Sequence, residues 1–233
     1  MNLTHHRYCI VGQPRCGSHH FESYIYNTLI KNSNATKLGE YLHWWSGRFS
    51  RFKLENGNII KTSVDKEVDL LAEFQQRIEM LKQNNVDQPL VARLFFVDNM
   101  LVNFKSLAEL YANANFKFIY IKRDLEQQII SWYFSKDESK WSLSLFENQK
   151  IVDIELLKEY VLEYVKNQYY GEQWLTNIQH DCIDYKDLSD YPSEHFKMMP
   201  NDPYDLILNK NKVKDVFTNY LPLVQRQLSS LIC

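Results

Sequence analysis

A chain of 233 residues with 45% hydrophobic and 24% charged side chains can bury a substantial core, which excludes a disordered or low-complexity protein. The formal net charge of −2 supplies no general basic field for nucleic acid, so any anion recognition has to come from a local pocket. No apolar run approaches the ~18 residues of a membrane span, and the start MNLTHHRYCIVG has neither a long apolar leader core nor a small-residue cleavage site. The expectation is a cytoplasmic protein without membrane contact. The scattered Cys9, Cys16, Cys182 and Cys233 form no C-x-x-C pair and read as reduced thiols rather than disulfides or a zinc site.

In chain order, Arg7 to Val11 reads as a buried strand, Gly12 to Gly17 as a turn, and Ser18 onward as a helix with Phe21, Ile25 and Leu29 on one face. Glu40 to Thr62 holds His43, Trp44, Trp45, Arg48, Arg51 and an Asn56-Gly57 turn signal, and reads as a hairpin or a substrate loop. Glu67 to Asn84 is helical by the period of Leu71, Phe74, Ile78 and Leu81. A strand at Leu90 to Val97, a helix at Asn99 to Ala112 and a strand at Phe116 to Ile121 follow. Helices are expected from Leu125 to Phe134 and from Asp153 to Leu175, a short strand over Asp181 to Tyr185, and a mostly helical stretch from Asn211 to Leu231. No repeat or linker interrupts the chain, so residues 1–233 are expected to form one domain with a mostly helical C-terminal part. Strands alternating with helices predict an α/β fold, a central parallel sheet with helices on both faces. Ligands in such folds sit at the carboxyl ends of the strands.

Two motifs fall at those ends. In the first, Tyr8 to Phe21, a strand runs through a glycine-bounded turn into a helix start, where outward amides and the helix dipole favour an anion. Gly12 and Gly17 permit close backbone approach, Ser18 can cap the helix, and Arg15 adds a fixed charge. The spacing nearly meets the Walker form G-x-x-x-x-G-K-[ST], but Ser18 stands at the lysine position. Nucleoside triphosphate chemistry needs that lysine, so a metal-dependent kinase is disfavoured.

The stretch Gly12-Gln13-Pro14-Arg15-Cys16-Gly17-Ser18-His19 resembles the 5′-phosphosulfate loop of the P-loop sulfotransferases, G-x-P-[KR]-[ST]-G-[ST]-[ST]. It departs from that loop at Cys16 and His19, where hydroxyl residues are usual. The second motif strengthens the likeness. Arg123 at a strand end, Asp124, Ser131 eight residues on (131 − 123) and Tyr133 are similar to the family's 3′-phosphate signature. Eight residues is a little over two helical turns, so guanidinium and hydroxyl can converge on one phosphate. Read alone, Arg123-Asp124 is equally a salt bridge or a helix cap. A third echo is Ile183-Asp-Tyr-Lys-Asp-Leu188, akin to the family's Y-E-D-L segment. The R-K-G-x-x-G loop of cytosolic animal enzymes is missing, since the last glycine is Gly171, which points toward bacterial or carbohydrate-type members.

The resemblance implies a P-loop nucleotide-binding fold and a transferase that moves a sulfuryl group from 3′-phosphoadenosine 5′-phosphosulfate (PAPS) to a hydroxyl or amine, leaving PAP, with no metal. Gly12, Pro14, Arg15, Cys16, Gly17, Ser18, His19, Arg123 and Ser131 would bind the donor, and Arg15 would also stabilise the leaving phosphate. Glu40 is a base by analogy with a family Gly-Glu context. His19, His20 and His43 are alternatives because imidazole titrates in the useful range, and His20 is carried with Arg15 and Glu40 as catalytic. His5, His6, His19 and His20 lack the i, i+4 spacing of a metal site. Trp44, Trp45, Arg48 and Arg51 would suit a carbohydrate acceptor, or the tryptophans are core. Lys210, Lys212 and Lys214 touch the nucleotide or form a solvated helix face. Two alternatives stay open: a non-catalytic adenine-nucleotide module of the same fold, and a P-loop small-molecule kinase.

Overall fold

The computed structural model describes residues 7–30, 50–53, 59–62, 72, 75–76, 78–79, 83, 90–97, 104–137, 149–191 and 203–230. Apolar runs with few breakers become strands: β1 (Arg7–Gly12), β4 (Leu90–Phe95), β5 (Lys117–Lys122) and β6 (His180–Asp184). They form one parallel sheet in the order β4-β1-β5-β6. A hairpin of β2 (Ser50–Lys53) and β3 (Ile59–Thr62) pairs antiparallel, as one of the two readings of that segment anticipates.

The sheet is covered on both sides. Successive residues Tyr8, Cys9, Ile10 and Val11 are each at most 1% exposed, which is the signature of a strand with both faces buried. The register assigns the faces. Cys9, Val11, Phe118 and Tyr120 share one, and Ile10, Arg93 and Ile119 share the other. On the Tyr120 side lies α4 (Ile154–Leu175), whose Glu172 accepts from the Tyr120 hydroxyl at 2.7 Å. On the Arg93 side lies α1 (Ser18–Ile30), whose His19 and Glu22 meet Arg93. The chain leaves β1 through α1 toward β4, but leaves β5 through α3 (Leu125–Asp137) and α4 toward β6. Neighbouring strands β1 and β5 thus send their chains to opposite edges of the sheet. Their carboxyl ends flank a topological switch point, where open α/β sheets leave a crevice.

Apolar side chains gather in two clusters. One joins the sheet to α1 and to α2 (Phe104–Asn113) through residues such as Phe21, Ile25, Leu107 and Tyr111. The other joins α3 and α4 to the C-terminal helices through Ile129, Phe134, Val161, Val213 and Val224. Asp153 caps α4, accepting from the amides of Glu155 at 3.0 Å and Leu156 at 3.2 Å, an arrangement that contributes about 1 kcal/mol. The helix then packs close to the sheet because Gly171, lacking a Cβ, lies against the Phe96 ring.

Two expectations shift. The last strand ends at Asp184, and Tyr185–Asp190 is a 3₁₀ segment rather than strand. The C-terminal stretch divides into α5 (Lys210–Asp215), a π turn over Val216–Tyr220 and α6 (Leu221–Ser230). The widened turn, with Leu221 N–H donating to Val216 O, sits immediately before Pro222, whose missing N–H breaks the regular ladder. In the Glu67 to Asn84 helix the described positions are helical, with Ile78 buried and Gln75, Gln76 and Glu79 exposed as its period requires. No helix among the described residues is long and apolar enough to cross a membrane.

Candidate functional site

The loop from Gly12 to Gly17 leaves β1 at the switch point. A Cβ on Gly12 would stand 2.9 Å from Ile121 O, so only glycine lets the turn start against β5. Gly17 has φ +92°, and a Cβ there would meet Leu188 Cδ1 at 2.5 Å and the Tyr185 ring at 2.9 Å. The 185–190 segment, the third echo in the sequence, therefore forms a wall against the loop. Arg15 adopts φ +70°, a left-handed conformation that non-glycine residues seldom take.

Side chains from elsewhere in the chain hold the loop's carbonyls. Gln13 O accepts from Cys16 N at 3.2 Å and from Gln128 Nε2 at 3.3 Å. Pro14 O accepts from Gln128 Nε2 at 2.9 Å and from the Tyr164 hydroxyl at 3.4 Å. Arg15 O accepts from Arg123 at 2.7 Å. The buried Gln13 side chain donates to Tyr164 O at 2.7 Å, pinning the loop to α4. Because a trans peptide points its N–H opposite its C=O, tying Pro14 O inward turns the Arg15 amide away from α3 and α4. The loop then runs into the positive end of α1, whose first turn carries no acidic residue.

Two arginines converge here from different strand ends. Arg15 Nε donates to Ser131 Oγ at 3.1 Å, and Arg123 donates to the carbonyl of Arg15. Arg123 also lies over the Tyr185 ring, 4.0 Å from its centroid. The structure thus brings Arg15, Arg123 and Ser131 together, although Ser131 engages Arg15 rather than Arg123. Burial, then the charge of Arg123, lowers the pKa of Arg15, yet a guanidinium keeps its proton in proteins. Like charges are held close in a partly desolvated crevice, and the buried Nε of Arg123 has no hydrogen-bond partner among the described residues. An oxyanion fits such a place.

The other expected site residues fall into distinct settings. Ser18 lies against Cys16 at the head of α1 and is 4% exposed. Cys16 faces the core rather than the crevice: it is fully buried, its Sγ 3.2 Å from where a Gly12 Cβ would be. Burial pushes its thiol up to about 11, so it stays protonated at neutral pH. His19 accepts at Nε2 from Arg93 at 2.7 Å. His20, expected among the catalytic groups, is buried beside the 185–191 segment. Its Nε2 lies 3.0 Å from Leu188 O and 2.8 Å from Tyr191 O, and since carbonyls only accept, it must donate there. That nitrogen is committed to holding the wall in place and cannot take a proton from an acceptor.

Asp124 is a helix cap, accepting from Gln127 N at 3.0 Å, so the bland reading of that carboxylate holds. The Tyr133 hydroxyl accepts from Asp153 N at 2.9 Å, within the C-terminal core. Lys210, Lys212 and Lys214 are exposed, with Lys210 3.4 Å from Asp205, in line with a solvated face. Glu40, His43, Trp44, Trp45, Arg48, His5 and His6 lie outside the described residues, as does the side chain of Arg51. Sequence reasoning missed Gln13, Gln128 and Tyr164, which shape the loop, and Arg93, 2% exposed inside an apolar strand. Of these only Arg93 left a signal, a lone charge in a buried run. Among the described residues no three His, Cys, Asp or Glu side chains gather as a metal site would require.

Fold and crevice together define an α/β protein whose parallel sheet presents two arginines and a glycine-bounded loop at its switch point. No protein-family model matches the chain, and no curated protein matches it. Among solved structures, one described as the sulfotransferase domain from the curacin biosynthetic pathway is similar at a TM-score of 0.43 and 14% identity, over 98% of this chain and 99% of that one.

Proposed function

We propose that the crevice binds PAPS and that the protein transfers its sulfuryl group to a hydroxyl or amine of an acceptor. The observation that carries this reading is the convergence of Arg15 and Arg123, from two strand ends, on one partly buried spot beside Ser131 and the start of α1. The donor supplies an activated sulfuryl group on a phosphate leaving group. Arg15 neutralises charge growing on the leaving phosphate oxygen, and the α1 amides with Ser18 share that load. Arg123 holds the 3′-phosphate, with the Tyr185 ring keeping its guanidinium plane in position. Ser131, 1% exposed, fixes the direction of Arg15 through the hydroxyl contact at 3.1 Å. Neither described histidine of the loop suits the role of general base, because His20 Nε2 donates to carbonyls while its Nδ1 is buried, and His19 Nε2 already accepts from Arg93. The base is then Glu40, by analogy with the family's Gly-Glu context, with His43 the remaining alternative, and both lie outside the described residues.

Calorimetric titration with PAP, in parallel with ATP and Mg²⁺, tests the reading. Tight PAP binding with weak ATP binding is expected. ATP binding with no preference for PAP would sink the proposal and favour kinase chemistry. A Glu40→Gln variant should keep PAP affinity and lose turnover by about 10²-fold or more, the usual contribution of a positioned base. Unchanged turnover would move the base elsewhere.

A further inference from the structure

His19 stands where the sulfotransferase-like loop would carry a second hydroxyl. Its Nε2 lies 2.7 Å from Arg93 NH1. Arg93 sits on β4 level with Ile10, 2% exposed, and its Nε lies 3.5 Å from Glu22 Oε2 on the next turn of α1. A guanidinium has donors only, so Nε2 of His19 must present its lone pair. The neutral ring then carries its single proton on Nδ1. Protonating Nε2 would set one N–H against another and place a third cation beside Arg93 and Arg15. The charged and titratable groups around the ring, among the described residues, are Arg93 from β4, Arg15 from the loop and Glu22 from its own helix. The carboxylate is engaged with Arg93 rather than with the imidazole.

We propose that Arg93, anchored by Glu22, is a positioning residue that fixes His19 as the Nδ1–H tautomer, making it a permanently neutral hydrogen-bond donor at the head of the phosphate loop. Resting on the donor-site reading, that N–H takes the place of the absent hydroxyl in contacting the donor's 5′-phosphate. Although the His19 side chain reaches solvent, loss of part of its hydration, then the charges of Arg93 and Arg15, agree with this in lowering its pKa. The loop replaces a hydroxyl with a bulkier N–H donor that does not switch charge across the physiological range, so its charge is set by arginines alone.

Nitrogen NMR of the full chain, labelled at histidine and assigned by comparison with His19→Asn, tests the first clause without any ligand. The expected spectrum shows His19 protonated at Nδ1, bare at Nε2, and unchanged from pH 5 to pH 8. An Nε2–H tautomer, or a midpoint between pH 6 and 7, would overturn the proposal. The double variant Glu22→Gln/Arg93→Met removes both buried charges together, which spares the fold an uncompensated one. There the contribution of Arg93 is gone while desolvation and Arg15 remain, so the His19 midpoint should rise toward the ordinary value of about 6.5 without reaching it. PAP affinity relative to wild type at the same pH should then rise, by up to about fivefold, as the pH is lowered through that midpoint and a neutral hydrogen bond becomes a charge-assisted one. A flat ratio, with His19 titrating, would remove His19 from the phosphate contact. Failure of wild-type protein to bind PAP would instead count against the donor-site reading, while the NMR result would still decide the tautomer.

Discussion

Arg123→Ala is expected to weaken PAP binding by about a hundredfold or more while lowering the stability of the ligand-free protein by only about 1 kcal/mol. The asymmetry follows from what Arg123 touches. Among the described residues it makes one hydrogen bond, to Arg15 O at 2.7 Å, and lies over the Tyr185 ring. Each is worth roughly 1 kcal/mol, and removing the cation also relieves repulsion of Arg15. Toward a phosphate the same guanidinium would make paired charge-assisted bonds worth about 1.5–3 kcal/mol each in a desolvated site. Arg123→Lys should recover part of the loss, keeping the charge and losing the fork. Titration calorimetry and urea unfolding read the two effects separately. PAP affinity within about threefold of wild type in Arg123→Ala, against the hundredfold expected from such contacts, would remove this arginine from the donor site.

The larger effect on stability belongs to Gly17→Ala. An alanine at φ +92° carries the left-handed penalty of about 1–2 kcal/mol, and its Cβ would press on Leu188 and Tyr185, adding about 1–3 kcal/mol of overpacking. Urea unfolding should therefore show a loss of about 2–5 kcal/mol. PAP binding should fall as well, since the displaced Tyr185 ring is the one that supports Arg123. A stability loss below about 1 kcal/mol would show that the 185–190 segment yields easily and is no rigid wall for the loop.

Both variants fall in motifs visible in the sequence, which was informative where chemistry is local. Buried strands announce themselves as apolar runs such as YCIV and FIYI, and the Asp153 cap precedes a long amphipathic period. Gly12, Arg15, Gly17 and Arg123 were legible because close backbone approach and fixed charge restrict which residues can stand there. What sequence could not show is direction. Cys16 reads as a lost hydroxyl, but its side chain turns into the core. His19 and His20 are adjacent and chemically identical, yet one faces Arg93 and the other the carbonyls of Leu188 and Tyr191. Gln13, Gln128 and Tyr164 carry no motif, because satisfying a carbonyl across more than a hundred residues is a property of the fold and not of spacing.

That reach across the chain has a consequence for biosynthesis. The loop is made first, but Gln128 and Tyr164, which hold its carbonyls, and the Tyr185–Tyr191 wall follow more than a hundred residues later. A nascent chain ending before Tyr191 has the loop's sequence without the partners that give it shape. The site therefore comes into being only once Tyr191 has been made, and until then the proposed donor has nothing to bind and cannot stabilise the growing chain.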